Sequence, residues 1–203
     1  MSVSRLFDCS KRLVAAPVVF FALGGVSVIA ADEARWFFTP EPTFMKRPGA
    51  MEIPGAKETQ LAPALWDGST LDCQAPESAG LKEVKEMSAN HAAEFLATLE
   101  PEFVRNRKKV ILYAKLESDR PLVASTVFAP GFAKRFEDTL GPKLIVAIPN
   151  RYTVFVFPAL GADASDFAEL VRRSWKATPF PASTEAFEVT NEGVRVVGKF
   201  PEP

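Results

Sequence analysis

The sequence predicts an α+β domain. A central antiparallel or mixed sheet is built on a β-hairpin over residues 143–157, is packed by two to four helices, and is preceded by a proline-rich N-terminal arm. Three observations carry this expectation. Leu144–Ile148 and Thr153–Phe157 are unbroken apolar runs joined by the turn-like segment Pro149-Asn150-Arg151-Tyr152, as expected of two strands covered on both faces. Residues 81–99, 132–140 and 162–177 repeat apolar side chains at helical spacing. Residues 186–189 and 194–197 alternate around Asn191-Glu192-Gly193, which reads as a closing hairpin.

The 203 residues are 47% apolar, enough for a sizeable core, and 24 basic residues nearly cancel 25 acidic ones. That balance gives no reason to expect nucleic acid or an anionic membrane surface as a partner. Within residues 1–12, Arg5, Lys11 and Arg12 stand against Asp8, and residues 13–31 carry no charge and end in Val28-Ile29-Ala30-Ala31. A basic start, an apolar stretch and a small-residue end read as a secretory signal peptide over 1–31, cut after Ala30 or Ala31. The rival reading is a retained anchor, because 19 apolar residues just span a bilayer; Pro17, Gly24 and Gly25 within the run favour cleavage. Cys9 precedes the run, where a lipid-bearing cysteine would follow it. Losing Arg5, Lys11, Arg12 and Asp8 takes 24 basic and 25 acidic residues to 21 and 24, a net charge of −3. Cys73 is then the one cysteine left, so no internal disulfide can form.

Residues 32–79 read as an extended arm, because Pro40, Pro42, Pro48, Pro54, Pro63 and Pro76 interrupt regular structure. Trp36, Phe37 and Phe38 precede them and Phe44 and Trp66 lie among them, so the arm is expected to drape over the body and bury its aromatics, or to dock a partner. The α+β domain proper is expected over 80–200. Its first helix places Leu81, Val84, Ala92, Phe95, Leu96 and Leu99 on one side and ends before Pro101, with Ser88 as a possible internal cap that would split it. Val110–Leu116 reads as a strand. Leu122–Phe128 is ambiguous, β-branched but interrupted by Ala124-Ser125. Phe132, Phe136 and Leu140 mark a helix that Gly141-Pro142 stops. Asp163, Ser165 and Asp166 suit the start of the last helix, and Arg172, Arg173 and Lys176 its end.

Catalytic chemistry is hard to assemble from this chain. His91 is the single histidine, and it borders the apolar face of its helix, where a structural role is expected. No His-Glu-x-x-His, Cys-x-x-Cys or Gly-x-Ser-x-Gly motif is present, and no glycine-rich loop follows a strand, so no metal or cofactor is implied. Cys73 has no motif around it to favour the thiolate. Asp163 with Asp166, and Glu137 with Asp138, are acid pairs better explained as a helix cap and a solvated helix face. The candidate binding residues are Asn150 and Arg151 in the hairpin turn. An exposed Arg151 could hold an anionic group in bidentate fashion; its structural alternative is a pairing with a nearby acid.

Asp119-Arg120, Ala124-Ser125, Phe132, Leu140-Gly141 and then Leu144-Ile145-Val146-Ala147-Ile148-Pro149-Asn150-Arg151 give an order that resembles the YtpQ-like family of uncharacterised bacterial proteins. The resemblance covers about 115–198, and Pro181-Ala182-Ser183 fits its later proline-serine segment. Ala147–Arg151 is its most specific part. The chain departs at Tyr152, where the family carries an acid, and in bearing a signal. The resemblance implies an α+β fold and no reaction. The function expected is that of an exported, periplasmic or extracellular, non-catalytic binding or accessory protein whose partner is a protein or small molecule. The alternatives are a hydrolase using carboxylates or Cys73, and a membrane-anchored structural protein that keeps 13–31.

Overall fold

A computed structural model of the chain describes residues 34–76, 80–160 and 164–200, so the expected signal segment 1–31 and the expected cap Asp163 lie outside the described residues. The strands in chain order are β1 (Arg35–Pro42), β2 (Met51–Glu52), β3 (Thr59–Trp66), β4 (Leu71–Cys73), β5 (Glu102–Arg105), β6 (Ile111–Glu117), β7 (Leu144–Asn150), β8 (Thr153–Pro158), β9 (Glu185–Thr190) and β10 (Gly193–Lys199). The α-helices are α1 (Leu81–Thr98), α2 (Phe132–Leu140) and α3 (Ala168–Lys176). The described stretches belong to one compact unit, Ala31–Pro203.

The fold is α+β, and the hairpin lies at the middle of its larger sheet. That sheet runs β10-β9-β7-β8-β6-β5 with every pairing antiparallel, which resolves the antiparallel-or-mixed alternative. Alternation along β7 and β8 sorts their side chains cleanly. Leu144, Val146, Ile148, Val154 and Val156 enter one core cluster, and Ala147, Phe155 and Phe157 the other. Two covered faces are why both strands read as continuous apolar runs. Each of these fully buried Val, Leu or Phe side chains contributes about 1.5–3 kcal/mol.

The first cluster also takes Ala92, Phe95 and Leu96 from α1, which lies along β1, and Phe132 and Phe136 from α2. Over the second lies α3, where Val171 joins Phe157 and Phe200 with Tyr113 and Phe167 against them. The helix α1 is continuous, so Ser88 does not split it; Val84, Ser88, Ala92, Phe95 and Leu96 are its buried residues. Its last carbonyls, at Leu96 and Leu99, accept hydrogen bonds from the Arg135 guanidinium of α2. The ambiguous stretch 122–128 is a turn of 3-10 helix over Ala124–Phe128, and Thr126 Oγ1 donates back to Val123 O at 2.7 Å. The last helix begins later than its sequence pattern, with a 3-10 turn over Ala164–Phe167 before α3.

The stretch expected to be an irregular arm is instead a small antiparallel sheet, in which β3 pairs with β1, β2 and β4. Proline is tolerated because of where each one falls. Pro40 and Pro42 sit on β1, an edge strand paired only with β3. Pro63 lies on β3 between the last residue opposite β2, Leu61, and the first opposite β4, Ala64. The expected burial of aromatics is seen at Phe37, Phe38 and Trp66, whereas Phe44 is 71% exposed. Phe37, Ala64 and Trp66 belong to the same core cluster as the inner face of the large sheet.

Two polar contacts also join the regions of the two sheets. The Val196 N–H donates to Pro54 O at 2.8 Å, and the hydroxyls of Thr59 and Ser183 meet at 2.6 Å. Gly55 turns with φ +80°, and a Cβ there would lie 2.6 Å from Val196 O. Only glycine fits that turn.

Candidate functional site

The hairpin turn was the expected binding point, and the structure puts both of its polar residues to internal use. The ladder slips between Ala147 and Asn150, and Pro149, which has no N–H to offer, falls within the slip. Its carbonyl accepts from Ala182 N at 3.0 Å. Asn150 is buried; its Nδ2 donates to Ser174 O at 2.9 Å and Ser174 Oγ at 3.0 Å, and its Oδ1 accepts from Tyr152 N at 2.9 Å. It therefore ties the turn to the end of α3.

Arg151 is 6% exposed, so it does not meet the condition set for binding an anion itself. Its Nε and Nη2 donate to Glu41 Oε1 at 2.9 and 2.8 Å, Nη1 to Leu71 O at 3.1 Å, and Nη2 to Cys73 Sγ at 3.3 Å. Phe180 lies beneath the guanidinium, 5.3 Å from ring centroid to Cζ. Glu41 is as buried as its partner, and its Oε2 accepts from Arg47 Nε and Nη2, each at 3.2 Å. The local cause is the period of β1, which puts Phe37, Thr39 and Glu41 on one of its two covered faces. The acid partner was visible in the sequence only as the last member of that stripe.

The residues that could serve a hydrolase are each engaged in structural contacts. His91 Nδ1 is bonded to Trp36 O at 3.0 Å, and its ring lies 5.9 Å from Phe37. Burial, then the neighbouring Glu41 charge, push the Cys73 thiol up to about 11 against the opposing pull of Arg151. A thiol so protonated is a poor nucleophile at neutral pH. Among the described residues no three His, Cys, Asp or Glu side chains gather as metal ligands. Glu137 pairs with Lys134 at 3.1 Å on the surface of α2.

The arrangement best suited to hold a molecule lies elsewhere, between α1 and the small sheet. A cavity of about 380 Å³ is walled by Phe38, Ile53, Leu61, Ala92 and Phe128. Two hydroxyls, Ser88 Oγ from α1 and Ser125 Oγ from the 3-10 turn, also line it. The two serines are 2% and 1% exposed, and neither hydroxyl has a hydrogen-bond partner among the described residues. A buried hydroxyl without a partner costs about 1–3 kcal/mol, so such groups are rare in folded proteins. Lys85 and Glu52 stand among the lining residues with opposite charges, which leaves the site near neutral. In the sequence Ser88 reads as a cap and Ser125 as an interruption of a strand, and no local signal places the two at one cavity.

A second cavity, of about 250 Å³, lies beside the Arg151 cluster and is lined by Glu41, Arg47, Arg151, Phe44, Met45 and Phe180 together with three prolines. No described helix is long and apolar enough to cross a membrane. Comparison of the chain with family models, with curated proteins and with solved structures finds no match.

Proposed function

We propose that this is an exported, non-catalytic binding protein that holds a neutral, largely apolar molecule with one hydrogen-bonding group in the cavity under α1. The observation that carries the reading is the pair of buried, unpartnered hydroxyls, Ser88 Oγ and Ser125 Oγ, in an otherwise apolar wall. Small-molecule sites have this composition, apolar walls with a few placed polar groups that fix orientation. A bound hydroxyl or carbonyl would give the serines the partners they lack. Binding rather than turnover is supported by the chemistry of the walls, whose two hydroxyls have no histidine beside them among the described lining residues.

Export rests on the sequence of residues 1–31, and N-terminal sequencing of the mature protein tests it: a start near Ala31 or Asp32 is expected, and an intact Met1 end contradicts cleavage. The resemblance of 115–198 to the YtpQ-like family adds no reaction to the proposal.

Binding is tested with the neutral fluorophore N-phenyl-1-naphthylamine and with 1-octanol as competitor. Saturable fluorescence that 1-octanol displaces is expected for the native protein. Ala92→Leu, which pushes a larger side chain into the cavity, is expected to abolish it while the protein stays folded. Absence of saturable binding, or binding that Ala92→Leu leaves intact, contradicts the proposal.

A further inference from the structure

We propose that the cavity beside Arg47 is a separate site for the C-terminal carboxylate of a peptide or protein tail that ends in an aromatic or branched apolar residue. Three observations converge there. The charged groups lining it are two arginines, Arg47 and Arg151, against one carboxylate, Glu41. Both oxygens of Glu41 are already held by those arginines, so one positive charge is left over. That excess favours an anion.

The second observation is where the spare donor sits. All three nitrogens of the buried Arg151 guanidinium are bonded within the protein. Arg47 uses Nε and Nη2 on Glu41, and its Nη1 donates to no group among the described residues. Arg47 is also the more accessible of the two, with 27% of its side chain exposed against 7% for Arg151. Glu41 and Arg151 thus hold Arg47 in place, and Arg47 presents the free N–H groups. Pro42, Pro179 and Pro181 supply wall without any backbone N–H, so the arginine is the natural donor for an incoming head group.

The third is the apolar rim. Phe44, Met45 and Phe180 line this cavity and are 71%, 44% and 43% exposed. Large side chains left in solvent side by side are unusual on a folded surface and mark contact sites. The cavity, about 250 Å³, suits one apolar side chain, and the rim offers Phe44 and Met45 to the residues before it. An apolar end with a carboxylate at its tip, and a chain leading away from it, fits all three.

The experiment compares Ac-Ala-Ala-Phe as the free acid, the same peptide as its C-terminal amide, and Ac-Phe, by titration calorimetry on the full mature chain. The free acid is expected to bind roughly tenfold more tightly than the amide, the loss of one charge-assisted contact. Ac-Phe is expected to bind more weakly than the tripeptide, because it does not reach the rim. Arg47→Gln is expected to remove the acid-over-amide preference, and Phe44→Ser to weaken the tripeptide without removing that preference; thermal melts establish that both variants fold. Equal binding of acid and amide, or no binding of either, overturns the proposal. Ac-Phe equal to the tripeptide overturns the peptide assignment in favour of a free acid. The cavity under α1 shares no residue with this site, so failure here and failure of the N-phenyl-1-naphthylamine test are independent.

Discussion

Replacing Arg151 with Met tests how the hairpin turn holds the two sheets together. The guanidinium bonds Glu41 on β1, Leu71 O on β4 and Cys73 Sγ, all within the small sheet, while its backbone belongs to the turn of the large one. Methionine keeps much of the apolar stem but leaves the Leu71 carbonyl unpartnered and Glu41 with Arg47 alone. Removing one partner of a buried ion pair costs about 3–5 kcal/mol, and the remaining Arg47 places this case near the lower end, about 3 kcal/mol. For a domain of this size that corresponds to a fall in melting temperature of roughly 6–12 °C. Urea unfolding with an unchanged slope and a lower midpoint is the expected signature. The double variant Glu41→Leu/Arg151→Met is expected to lose less than Arg151→Met, because no buried charge is then left with a single partner. A single variant that melts within roughly 2 °C of the native protein refutes this role for Arg151.

Other positions give independent checks. Gly55→Ala forces a Cβ against Val196 O at a positive φ, so a loss of about 1–3 kcal/mol is expected in urea unfolding, and a neutral result would mean the 54–58 turn does not clamp β10. Cys73, whose thiol is pushed by burial from 9.0 up to about 11, is expected to react with Ellman's reagent at pH 8 roughly a hundredfold more slowly in the native protein than in urea, the fall in thiolate fraction. The Asp67 carboxylate accepts hydrogen bonds from the Thr70 N–H and hydroxyl and from the Ser69 N–H and hydroxyl, which hold its titration well below the usual carboxylate range. Its depressed folded value means its contribution is present above about pH 4 and is lost as pH falls through the folded value. Asp67→Asn should therefore melt lower than the native protein at pH 7, with the gap closing toward pH 2; a gap that persists in acid contradicts this assignment.

The parts of the fold legible in the sequence are those fixed by short-range periodicity. The β7–β8 pair announces itself because two covered faces demand continuous apolar residues, and Leu81–Thr98 and Phe132–Leu140 because their buried positions recur with the helical period. The small sheet is not legible because its prolines read locally as breaks. Whether Pro40 or Pro63 breaks a strand depends on which side of it another strand lies, and that is decided by pairing with other segments, β3 for Pro40 and β1, β2 and β4 for Pro63, and not by the residues on either side of the proline. The same limit applied to the candidate site. Arg151 and Glu41 are 110 residues apart, and Ser88 and Ser125 come from different elements, so no local spacing could link them. A clue was present for the first pair, since an acid on a covered stripe of an apolar strand needs a cation opposite it.

The double variant Ser88→Ala/Ser125→Ala tests the central claim most directly. If the two hydroxyls are kept for a ligand, removing them should leave the unliganded protein as stable as the native one or slightly more so, because two unpartnered buried groups disappear. The same variant should bind 1-octanol roughly five- to tenfold more weakly, the worth of one hydrogen bond. Stability and affinity moving in opposite directions is the result this account predicts. A clear loss of stability with 1-octanol affinity unchanged would show that the serines serve the core of the protein and not a bound molecule.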